Sequence, residues 1–416
     1  MCASVGSPTV WRLATQERGQ LAEEHQPATV GRSLCKKYTG GGETTPIYGG
    51  ARSMVLLLSP QDTRGLITMA EAVEATEIAF RDWGEHPGTN APRRRTHVPS
   101  GVRVSVHQGG TATLGMTGLF THCELVHPMA EEQVYDAIAD PAYVLFDAQT
   151  GALACVILGE LTPAEMPDTV VMTGLRTATT SAVGTHLLAR PDATTVGLFG
   201  AGSQSRYHLL ALAAIRPLTQ IKVYRRDAQE RRRFAEEMTD ILHTEVVPVD
   251  RPEDCVHGLD MVVAATNASV PVFDGAWLEA GQHVTSIVGS NVGLVQGGFT
   301  PRRRREIDDT TLRRTDAIVV ASRAQVFQDQ QGDLYDPIQQ GVIRDEQLLE
   351  LSDVLLGRVP GRTRPEQITL YKNNAGQGIA DVAIAARVYQ KARERGLGVE
   401  WPLGLWATRG QRPAGG

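Results

Sequence analysis

The spacing of apolar residues in the first half of the chain predicts a helix followed by short strands. Between residues 67 and 83 apolar side chains recur at helical intervals, with acidic residues on the opposite face, as in an amphipathic helix. Strand-like runs then occupy residues 102–106, 113–120, 143–146 and 153–158, with turns containing Gly and Pro between them. This region therefore predicts a largely antiparallel sheet with a helix packed on it.

Beyond residue 194 the pattern changes to apolar runs that alternate with helical segments. The predicted strands are 195–199, 221–224, 246–249, 261–265, 283–288 and 317–321. Strands that alternate with helices form βαβ units, and such units build a parallel, doubly wound sheet of the Rossmann type. Because that sheet is complete by Ala321, the strand-like run at 368–372 and the helix at 379–395 are expected to return to the first domain.

These patterns predict an α/β protein with a Rossmann domain and a discontinuous α+β domain. The expected boundaries are 53–176 for the first part of the α+β domain, 177–340 for the Rossmann domain, 341–400 for the return to the α+β domain and 401–416 for a tail. Residues 1–52 are polar with few periodic apolar positions, which is typical of a disordered extension.

Composition and charge exclude several classes of protein. The 416 residues carry a formal net charge of −6, so no basic excess exists to bind nucleic acid. The apolar runs are far shorter than the roughly 20 residues that a membrane-spanning helix needs, so no membrane span is expected. The five cysteines include no C-x-x-C pair. This usage indicates a reduced, cytoplasmic setting without a thiolate metal site.

A glycine-rich turn after the first strand of the parallel sheet is the clearest candidate site. Gly200 and Gly202 lie between a predicted strand and a predicted helix, and Ser203, Gln204 and Ser205 follow them. In this context the first glycine permits a tight turn, and the second lets the backbone approach a pyrophosphate. The helix N-terminus supplies free N–H donors. The alternative is a strand–helix turn that binds no ligand.

The residues after the second strand of this sheet bear on the choice of dinucleotide. Arg225 and Arg226 follow Tyr224 directly. An arginine at this place accommodates the 2′-phosphate of NADP, whereas an acid binds the ribose 2′-hydroxyl of NAD. The two arginines favour NADP(H), while Asp227 keeps NAD(H) as an alternative. An ordinary solvated loop would also explain the arginine pair.

Several segments in fixed order resemble the ornithine cyclodeaminase/μ-crystallin family over residues 54–396. They are 175–182 (LRTATTSA), 196–205 (VGLFGAGSQS), 274–278 (DGAWL), 281–283 (GQH), 288–291 (VGSN), 305–308 (REID) and 368–372 (ITLYK). The resemblance implies a homodimer with a Rossmann domain, a separate substrate and dimerisation domain, and redox chemistry at a carbon that bears an amino or imino group. Family members include cyclodeaminases, alanine dehydrogenase, imine and ketimine reductases, and a crystallin that binds NADPH.

The resemblance also implies roles for individual residues. Arg95 and Arg176 match arginines that hold a substrate carboxylate, a task that suits a planar guanidinium. The amides of Asn373 and Asn374 would suit a polar substrate or the nicotinamide amide. The remaining matches are contacts to the dinucleotide: Gly200, Gly202, Ser203, Gln204, Thr266, Val288 and Arg304.

Three departures from the family restrict what the resemblance implies. Thr117 stands where the best register places a substrate-binding Lys, so a cationic contact is expected to be lost. Asn291 stands where cyclodeaminases have an Asp; Asn cannot accept a proton, but it can orient an amino or imino group by hydrogen bonds. Residues 159–174 are longer than the family's usual link. One of their acids, Glu160, Glu165 or Asp168, could replace the missing Asp, although a solvated acidic loop is the simpler interpretation.

These features predict an NAD(P)-dependent oxidoreductase that acts on a C–N bond of an imine, a ketimine or an amino acid. Arg176 and Asn291 are the predicted catalytic residues, and Arg95 is the predicted contact to the substrate. The loss of the Asp at position 291 favours this reaction over a cyclodeaminase that releases ammonia from ornithine or lysine. A non-catalytic protein that binds NADPH or another ligand is the second alternative.

Overall fold

The computed structural model of the protein describes residues 54–126, 135–167, 174–374 and 376–403. The extension at 1–52 and residues 404–416 of the tail lie outside the described residues. The described residues contain fifteen strands: β1 (Met54–Leu58), β2 (Arg94–His97), β3 (Val102–Thr111), β4 (Met116–Val126), β5 (Tyr135–Asp147), β6 (Leu153–Leu158), β7 (Thr195–Phe199), β8 (Gln220–Tyr224), β9 (Val246–Pro248), β10 (Met261–Ala264), β11 (His283–Ser286), β12 (Ala317–Val320), β13 (Leu348–Glu350), β14 (Thr369–Lys372) and β15 (Val399–Pro402).

The same parts of the chain contain eleven α-helices: α1 (Pro60–Thr63), α2 (Met69–Glu85), α3 (Leu175–Leu188), α4 (Ser203–Ile215), α5 (Ala228–Leu242), α6 (Val292–Gln296), α7 (Asp309–Arg314), α8 (Arg323–Gln328), α9 (Tyr335–Gln339), α10 (Leu351–Leu355) and α11 (Gly378–Glu394). None of the helices in the described ranges is long and apolar enough to cross a bilayer.

A seven-stranded sheet contains the first six strands and β15, in the spatial order β15-β1-β6-β5-β4-β3-β2. Strands β2 to β6 form an antiparallel meander, and β1 runs parallel to β6. Helices α2 and α11 pack on one face of this sheet. Helix α2 begins with a capping box, in which the Thr68 hydroxyl accepts from the Glu71 N–H and the Glu71 carboxylate accepts from the Thr68 N–H. The structure thus shows the antiparallel sheet and the amphipathic helix that the spacing predicts.

The polar side chains of β3 face inward, toward the helices. Arg103, Ser105 and His107 are buried, whereas the three valines that alternate with them are only partly buried. Arg103 forms an ion pair with Glu124 of β4 on the same inner face. A half-exposed antiparallel sheet ordinarily has its apolar side chains inside and its polar side chains outside. That alternation is reversed on β3, so its inner face carries charged and titratable side chains and its outer face carries the valines.

The second sheet has eight parallel strands in the order β13-β12-β14-β11-β10-β7-β8-β9. Every residue of β10, β11, β12 and β14 is buried, as in a sheet that helices cover on both faces. All six strands predicted between residues 195 and 321 are present in this sheet. The predicted α/β class with a parallel, doubly wound sheet is confirmed.

The prediction that the parallel sheet is complete by Ala321 is wrong. Strand β14 lies in the middle of the sheet, where Leu370 is the partner of Val284 on one side and Ile318 on the other. Strand β13 adds an edge strand beside β12. The spatial order of parallel strands does not follow their order in the chain, and a short apolar run does not reveal which of two sheets it joins. Within 341–400, α11 and β15 pack with the seven-stranded sheet.

Candidate active site

The loops that carry most of the predicted site residues meet at the carboxyl edge of the parallel sheet. Gly200 follows β7, Arg225 follows β8, Thr266 follows β10, Val288 follows β11 and Asn373 follows β14. Ligands of open α/β sheets bind in the crevice outside this edge. Distant stretches of the sequence therefore meet at one crevice, which we call the cleft.

The turn after β7 has the geometry that a pyrophosphate requires. Gly200 has a φ of +112°, and a Cβ there would lie 2.4 Å from the carbonyl oxygen of Ala265, so only glycine fits. A Cβ at Gly202 would meet no atom of the described residues within 4 Å, so contacts among those residues do not explain this glycine. The buried Oγ of Ser203 has no hydrogen-bond partner among the described residues. The open space, this hydroxyl and the N-terminal N–H groups of α4 fit a bound pyrophosphate.

The next two residues fasten helix α4 to its surroundings. Ser205 is buried, and its hydroxyl donates to the Ala265 carbonyl at 3.4 Å. The carbonyl oxygen of Gln204 lies 2.7 Å from Nδ1 of His208, whose Nε2 is 2.9 Å from the hydroxyl of Ser181. Serine at the third position of the motif is therefore compatible with close packing of the helix on the sheet.

Arg225 and Arg226 are exposed just beyond β8. Nη1 of Arg225 is 4.0 Å from a carboxylate oxygen of Glu230, and its side chain is 42% exposed. Asp227 accepts a hydrogen bond from the Glu230 N–H at 2.8 Å and caps α5. Asp227, the acid that leaves NAD(H) as an alternative, is thus engaged in capping α5. Both arginines are exposed at the carboxyl edge of the parallel sheet.

A buried charged cluster holds Thr266 and Val288 in place. Oε1 of Glu306 accepts from the N–H and the hydroxyl of Thr266 at 2.5 and 2.8 Å, and Oε2 accepts from the Val288 N–H at 2.7 Å. Lys372 donates from Nζ to the Val288 carbonyl at 3.0 Å and to Asp333 at 2.5 Å. Burial raises the pKa of Glu306, although Lys372 opposes that shift. Two predicted cofactor contacts are therefore positioned from beneath the cleft.

The side chain of Asn291 braces the loop at residues 302–304. Its Nδ2 donates to the carbonyl of Arg302 at 2.8 Å, and its Oδ1 accepts from the N–H of Arg304 at 2.8 Å. The residue is only 4% exposed. These contacts use one donor and one acceptor position of the amide, so the role of Asn291 in orienting a substrate nitrogen stays a prediction. Arg304, a predicted cofactor contact whose N–H binds Asn291, is partly buried.

Asn373 and Asn374 are also engaged within the protein. Nδ2 of Asn373 donates to the Thr177 carbonyl at 2.7 Å and to the Ser181 hydroxyl at 2.9 Å. Nδ2 of Asn374 donates to the Ser322 carbonyl at 2.6 Å, and its Oδ1 accepts from the Ser322 N–H at 3.0 Å. The predicted contact to substrate is corrected to a structural role, in which the two amides join the end of β14 to α3 and to the start of α8.

Arg176 is the predicted site residue whose surroundings fit a ligand best. It lies in the first turn of α3, and its Nε donates to Oδ1 of Asp381 at 3.2 Å. Its Nη1 is buried and has no partner among the described residues. A buried donor without an acceptor costs free energy. This atom therefore fits a ligand that brings an acceptor, such as a carboxylate.

Asp381 joins Arg176 to a histidine of the antiparallel sheet. Its Oδ2 lies 3.0 Å from Nδ1 of His107. Burial lowers the pKa of His107 to about 4, against the effect of Asp381, so the ring is neutral and Nδ1–H donates to the carboxylate. Burial opposes ionisation of Asp381 as well, yet Arg176 and His107 hold the pKa of its carboxyl below the usual value. The cleft thus contains an ionised carboxylate that fixes two donors.

Arg93 and Arg95 reach toward the parallel sheet from the other side of the cleft. Arg93 is 7% exposed and donates from Nη2 to Asp329 at 2.6 Å. Burial opposes ionisation of Asp329, but Arg93 and Arg95 hold its pKa below the usual value. Arg95 is partly buried on β2. The predicted carboxylate-binding arginine therefore lies near the cleft, with a more deeply buried arginine two residues before it.

The inserted segment carries one acid to the cleft. Glu160 follows β6, is partly buried, and interacts electrostatically with Asp381 and Arg176. Burial, reinforced by Asp381 and opposed by Arg176, raises the pKa of Glu160 to about 8. Glu165 instead accepts from the N–H of Met69 at 3.0 Å, at the start of α2. Asp168 lies outside the described residues.

Thr117 lies on the outer face of the sheet and does not mark a cation lost from the cleft. It is exposed, and its hydroxyl donates to the Gly109 carbonyl at 3.1 Å. His122 of the same strand faces inward instead, with its ring 5.7 Å from that of His107. Its Nδ1 is buried without a partner among the described residues. The register that placed Thr117 in the substrate site is therefore corrected.

Asp381, His107 and Arg93 were not predicted from the sequence. Asp381 stands among apolar residues on the buried face of α11, and an acid in such a place requires a partner. This signal was present in the sequence. His107 ends an alternating polar series on β3, which is typical of a solvent-facing row. Only the folded structure shows that this row faces the cleft.

Comparisons with known proteins agree with this geometry. The model of the ornithine cyclodeaminase/mu-crystallin family matches residues 53–396. An uncharacterized cyclodeaminase from Sinorhizobium fredii is 33% identical over 353 residues, covering 82% of this chain and 97% of the relative. Among solved structures, Thermococcus litoralis Δ(1)-pyrroline-2-carboxylate reductase, in complex with NADH and L-proline, is 28% identical with a TM-score of 0.69, covering 83% of this chain and 99% of the other.

A second solved structure, a probable ornithine cyclodeaminase from Bordetella pertussis, is 29% identical with a TM-score of 0.67, covering 82% of this chain and 98% of the other. The family match includes every described strand of the two sheets except β15. The resemblance inferred from the sequence segments is confirmed, and the chain belongs to the ornithine cyclodeaminase/mu-crystallin family.

Proposed function

We propose that the protein is an NAD(P)-dependent oxidoreductase that acts on the C–N bond of an imine or ketimine with a carboxylate, or of the corresponding amino acid. The observation that carries this proposal is Arg176, whose buried Nη1 has no acceptor among the residues that the structure describes. A substrate carboxylate supplies such an acceptor. The turn leaves open space beside Gly202, among the described residues, for the pyrophosphate of a dinucleotide.

Each group in the cleft has a part in this reaction. A bound dihydronicotinamide supplies a hydride to the carbon of the C=N bond. Arg176 holds the carboxylate next to that carbon, and Asp381 fixes the guanidinium through Nε. Thr266 and Val288 are the predicted contacts to the cofactor, and Glu306 fixes both of them by hydrogen bonds. Fixed orientation of substrate and cofactor is a large part of the rate enhancement in such reactions.

The relatives support this reaction class. The reductase from Thermococcus litoralis binds NADH and L-proline, and its name describes the reduction of a cyclic imine that carries a carboxylate. The relatives that are named as cyclodeaminases make ammonia release the second candidate. The structure offers no acid at position 291 for that chemistry, since Asn291 binds main chain with both ends of its amide.

NADP(H) preference and a homodimer are further parts of the proposal. The exposed Arg225 and Arg226 support NADP(H), since Asp227 is engaged in capping α5. Exposed apolar side chains on the outer face of the seven-stranded sheet support a second copy as its partner. Leu158 is 53% exposed there, and Trp401 on the edge strand β15 is 58% exposed. Exposed apolar patches of this kind mark association surfaces.

The function is tested by following NADH and NADPH consumption with cyclic ketimines, α-keto acids plus amines, and amino acids in the reverse direction. We expect net dinucleotide turnover with at least one carboxylate-bearing imine. Arg176→Ala should abolish turnover and leave dinucleotide binding intact, whereas Arg81→Ala, at an exposed ion pair on α2, should leave both intact. Ammonia release from ornithine or lysine without net dinucleotide turnover would contradict the proposal. Tight NADPH binding without any turnover would support the non-catalytic alternative.

A further inference from the structure

Reduction of an imine requires a proton for the nitrogen as well as a hydride for the carbon. Asn291 cannot supply that proton, and its amide is bound to main chain. We propose that Glu160, on the inserted segment after β6, is the catalytic proton donor to the substrate nitrogen. This inference rests on the proposed function. It assigns the acid of that reaction to a residue other than position 291, where cyclodeaminases have an Asp.

Glu160 lies on an anchored segment of the chain. The preceding residue, Gly159, has a φ of +87°, and its N–H donates to the Pro141 carbonyl at 2.7 Å. Three residues after Glu160, Pro163 forms a β-bridge with Ile67. The side chain of Glu160 is partly buried rather than exposed. The main chain on both sides of Glu160 is therefore held in place, which limits where its carboxyl group can lie.

Four elements bring charged or titratable groups to Glu160. They are Arg176 on α3, Asp381 on α11, Tyr143 on β5 and Tyr207 on α4. Arg176 would hold the substrate carboxylate, and Asp381 fixes its guanidinium through Nε. A substrate bound to Arg176 therefore enters the surroundings of Glu160.

Burial and these neighbours move the pKa values of Glu160 and Asp381 in opposite directions. Burial, reinforced by Asp381 and opposed by Arg176, raises the pKa of Glu160 to about 8. Asp381 is buried too, but Arg176 and His107 hold its pKa below the usual value. Neighbouring carboxyl groups whose pKa values are pushed apart can divide the roles of acid and ionised partner. Tyr207 is a weaker donor, because burial and Glu160 raise its pKa to about 12.

The chemical step needs one hydride and one proton. The carbon of the C=N bond gains a hydride from the dihydronicotinamide, and the π electron pair moves to the nitrogen. The nitrogen then forms an N–H bond as the O–H bond of the Glu160 carboxyl group breaks. The products are the amine, the oxidised nicotinamide and the Glu160 carboxylate, which regains its proton from water. In the reverse direction the carboxylate accepts the proton as the amine is oxidised.

Glu160→Gln tests the donor because it keeps the shape and neutral charge of the protonated acid. With the best imine from the substrate panel, kcat/KM for reduction should fall about 100-fold or more. The wild-type kcat/KM should be constant below pH about 8 and fall about tenfold per pH unit above it. The variant should lose this alkaline limb. Glu165→Gln is the matched control, since Glu165 of the same segment binds the start of α2. It should keep both the rate and the limb.

A measurement without substrate separates this inference from the proposed function. The folded protein binds the Glu160 proton more tightly than the unfolded chain does, because the pKa is raised from 4.5 to about 8. The free energy of unfolding of the wild type, relative to Glu160→Gln, should therefore decline between pH 4.5 and 8 and then level off.

The outcomes are distinct. The inference is supported if the free energy of unfolding declines with pH as expected and Glu160→Gln loses both its rate of reduction and the alkaline limb of kcat/KM. An active wild type with an unimpaired Glu160→Gln variant overturns it, and so does an active wild type without the slope. A slope in a protein that turns over no imine shows that the proposed function has failed, and the inference falls with it.

Discussion

Asp381 sets the electrostatics of the cleft, because its two oxygens bind Arg176 and His107 while its charge acts on Glu160. Asp381→Asn removes that charge, which helps to raise the pKa of Glu160. We therefore expect the alkaline limb of kcat/KM to move to a pH below about 8. A pH profile with the same imine checks the shift. Asp240→Asn, at an exposed position of α5, should leave the limb in place. An unmoved limb in Asp381→Asn would show that the two carboxyl groups are not coupled.

Arg225 is the residue on which the choice of cofactor depends. Arg225→Asp replaces a partner for the 2′-phosphate with an acid that repels it. The ratio of kcat/KM for NADPH to that for NADH should fall about tenfold or more, as expected for loss of a charge-assisted hydrogen bond. Arg232→Asp, one turn into α5, controls for the general change of surface charge. Unchanged discrimination in Arg225→Asp would remove the basis for an NADP(H) preference.

Residues whose roles follow from the local backbone could be predicted from the sequence. Gly200 and Gly202 belong to a strand–turn–helix pattern, which is set by neighbours in the chain. The amides of Asn291, Asn373 and Asn374 could not be predicted in the same way, because only packing decides whether they face a ligand or main chain. The same holds for Arg93, which is distinguished from its arginine neighbours by its burial beside Asp329.

At the scale of elements, the two glycines of the turn between β7 and α4 are expected to have different tasks. Gly200 should matter for folding and Gly202 for binding of the dinucleotide. Gly200→Ala forces a side chain into a backbone with φ +112° and against the Ala265 carbonyl. It should cost about 3 kcal/mol or more of stability. Gly202→Ala meets open space instead. It should cost about 1 kcal/mol or less, yet weaken dinucleotide binding strongly, because the methyl group occupies the place of the pyrophosphate.

Denaturant unfolding and a dinucleotide binding isotherm, measured on both glycine variants, check this division. Normal binding by a stable Gly202→Ala protein would show that the pyrophosphate lies elsewhere. An undisturbed unfolding transition in Gly200→Ala would contradict the strain expected at that turn.

Elements with a strong apolar period can be predicted from the sequence, but the elements that pack against them cannot. Helix α2 and the strands at 195–321 follow directly from spacing. For β3 the alternation is real, but its polar row faces inward. A period of two shows that a strand has two faces; it does not show which face meets the helices, because that depends on what packs against the sheet.

At the scale of the whole molecule, the exposed apolar side chains on the outer face of the seven-stranded sheet predict a dimer. Leu158→Glu places a charge on that face, where the side chain is 53% exposed. If a second copy covers it, the variant should be monomeric in light scattering, since a buried unpaired charge is costly. Val270→Glu changes an equally exposed residue outside that sheet and should leave the mass unchanged. A wild type that is already monomeric would contradict the dimer.

The central place of β14 has a consequence for how the protein is made. A ribosome has finished β7 to β12 long before residues 369–372 emerge, so the slot between β11 and β12 stays open until then. Parallel pairing over such sequence separations is slow, and unpaired strand edges invite aggregation. Nascent chains that stop short of Lys372 should therefore be clients of chaperones. Translation speed through the last part of the gene would then influence the yield of folded protein.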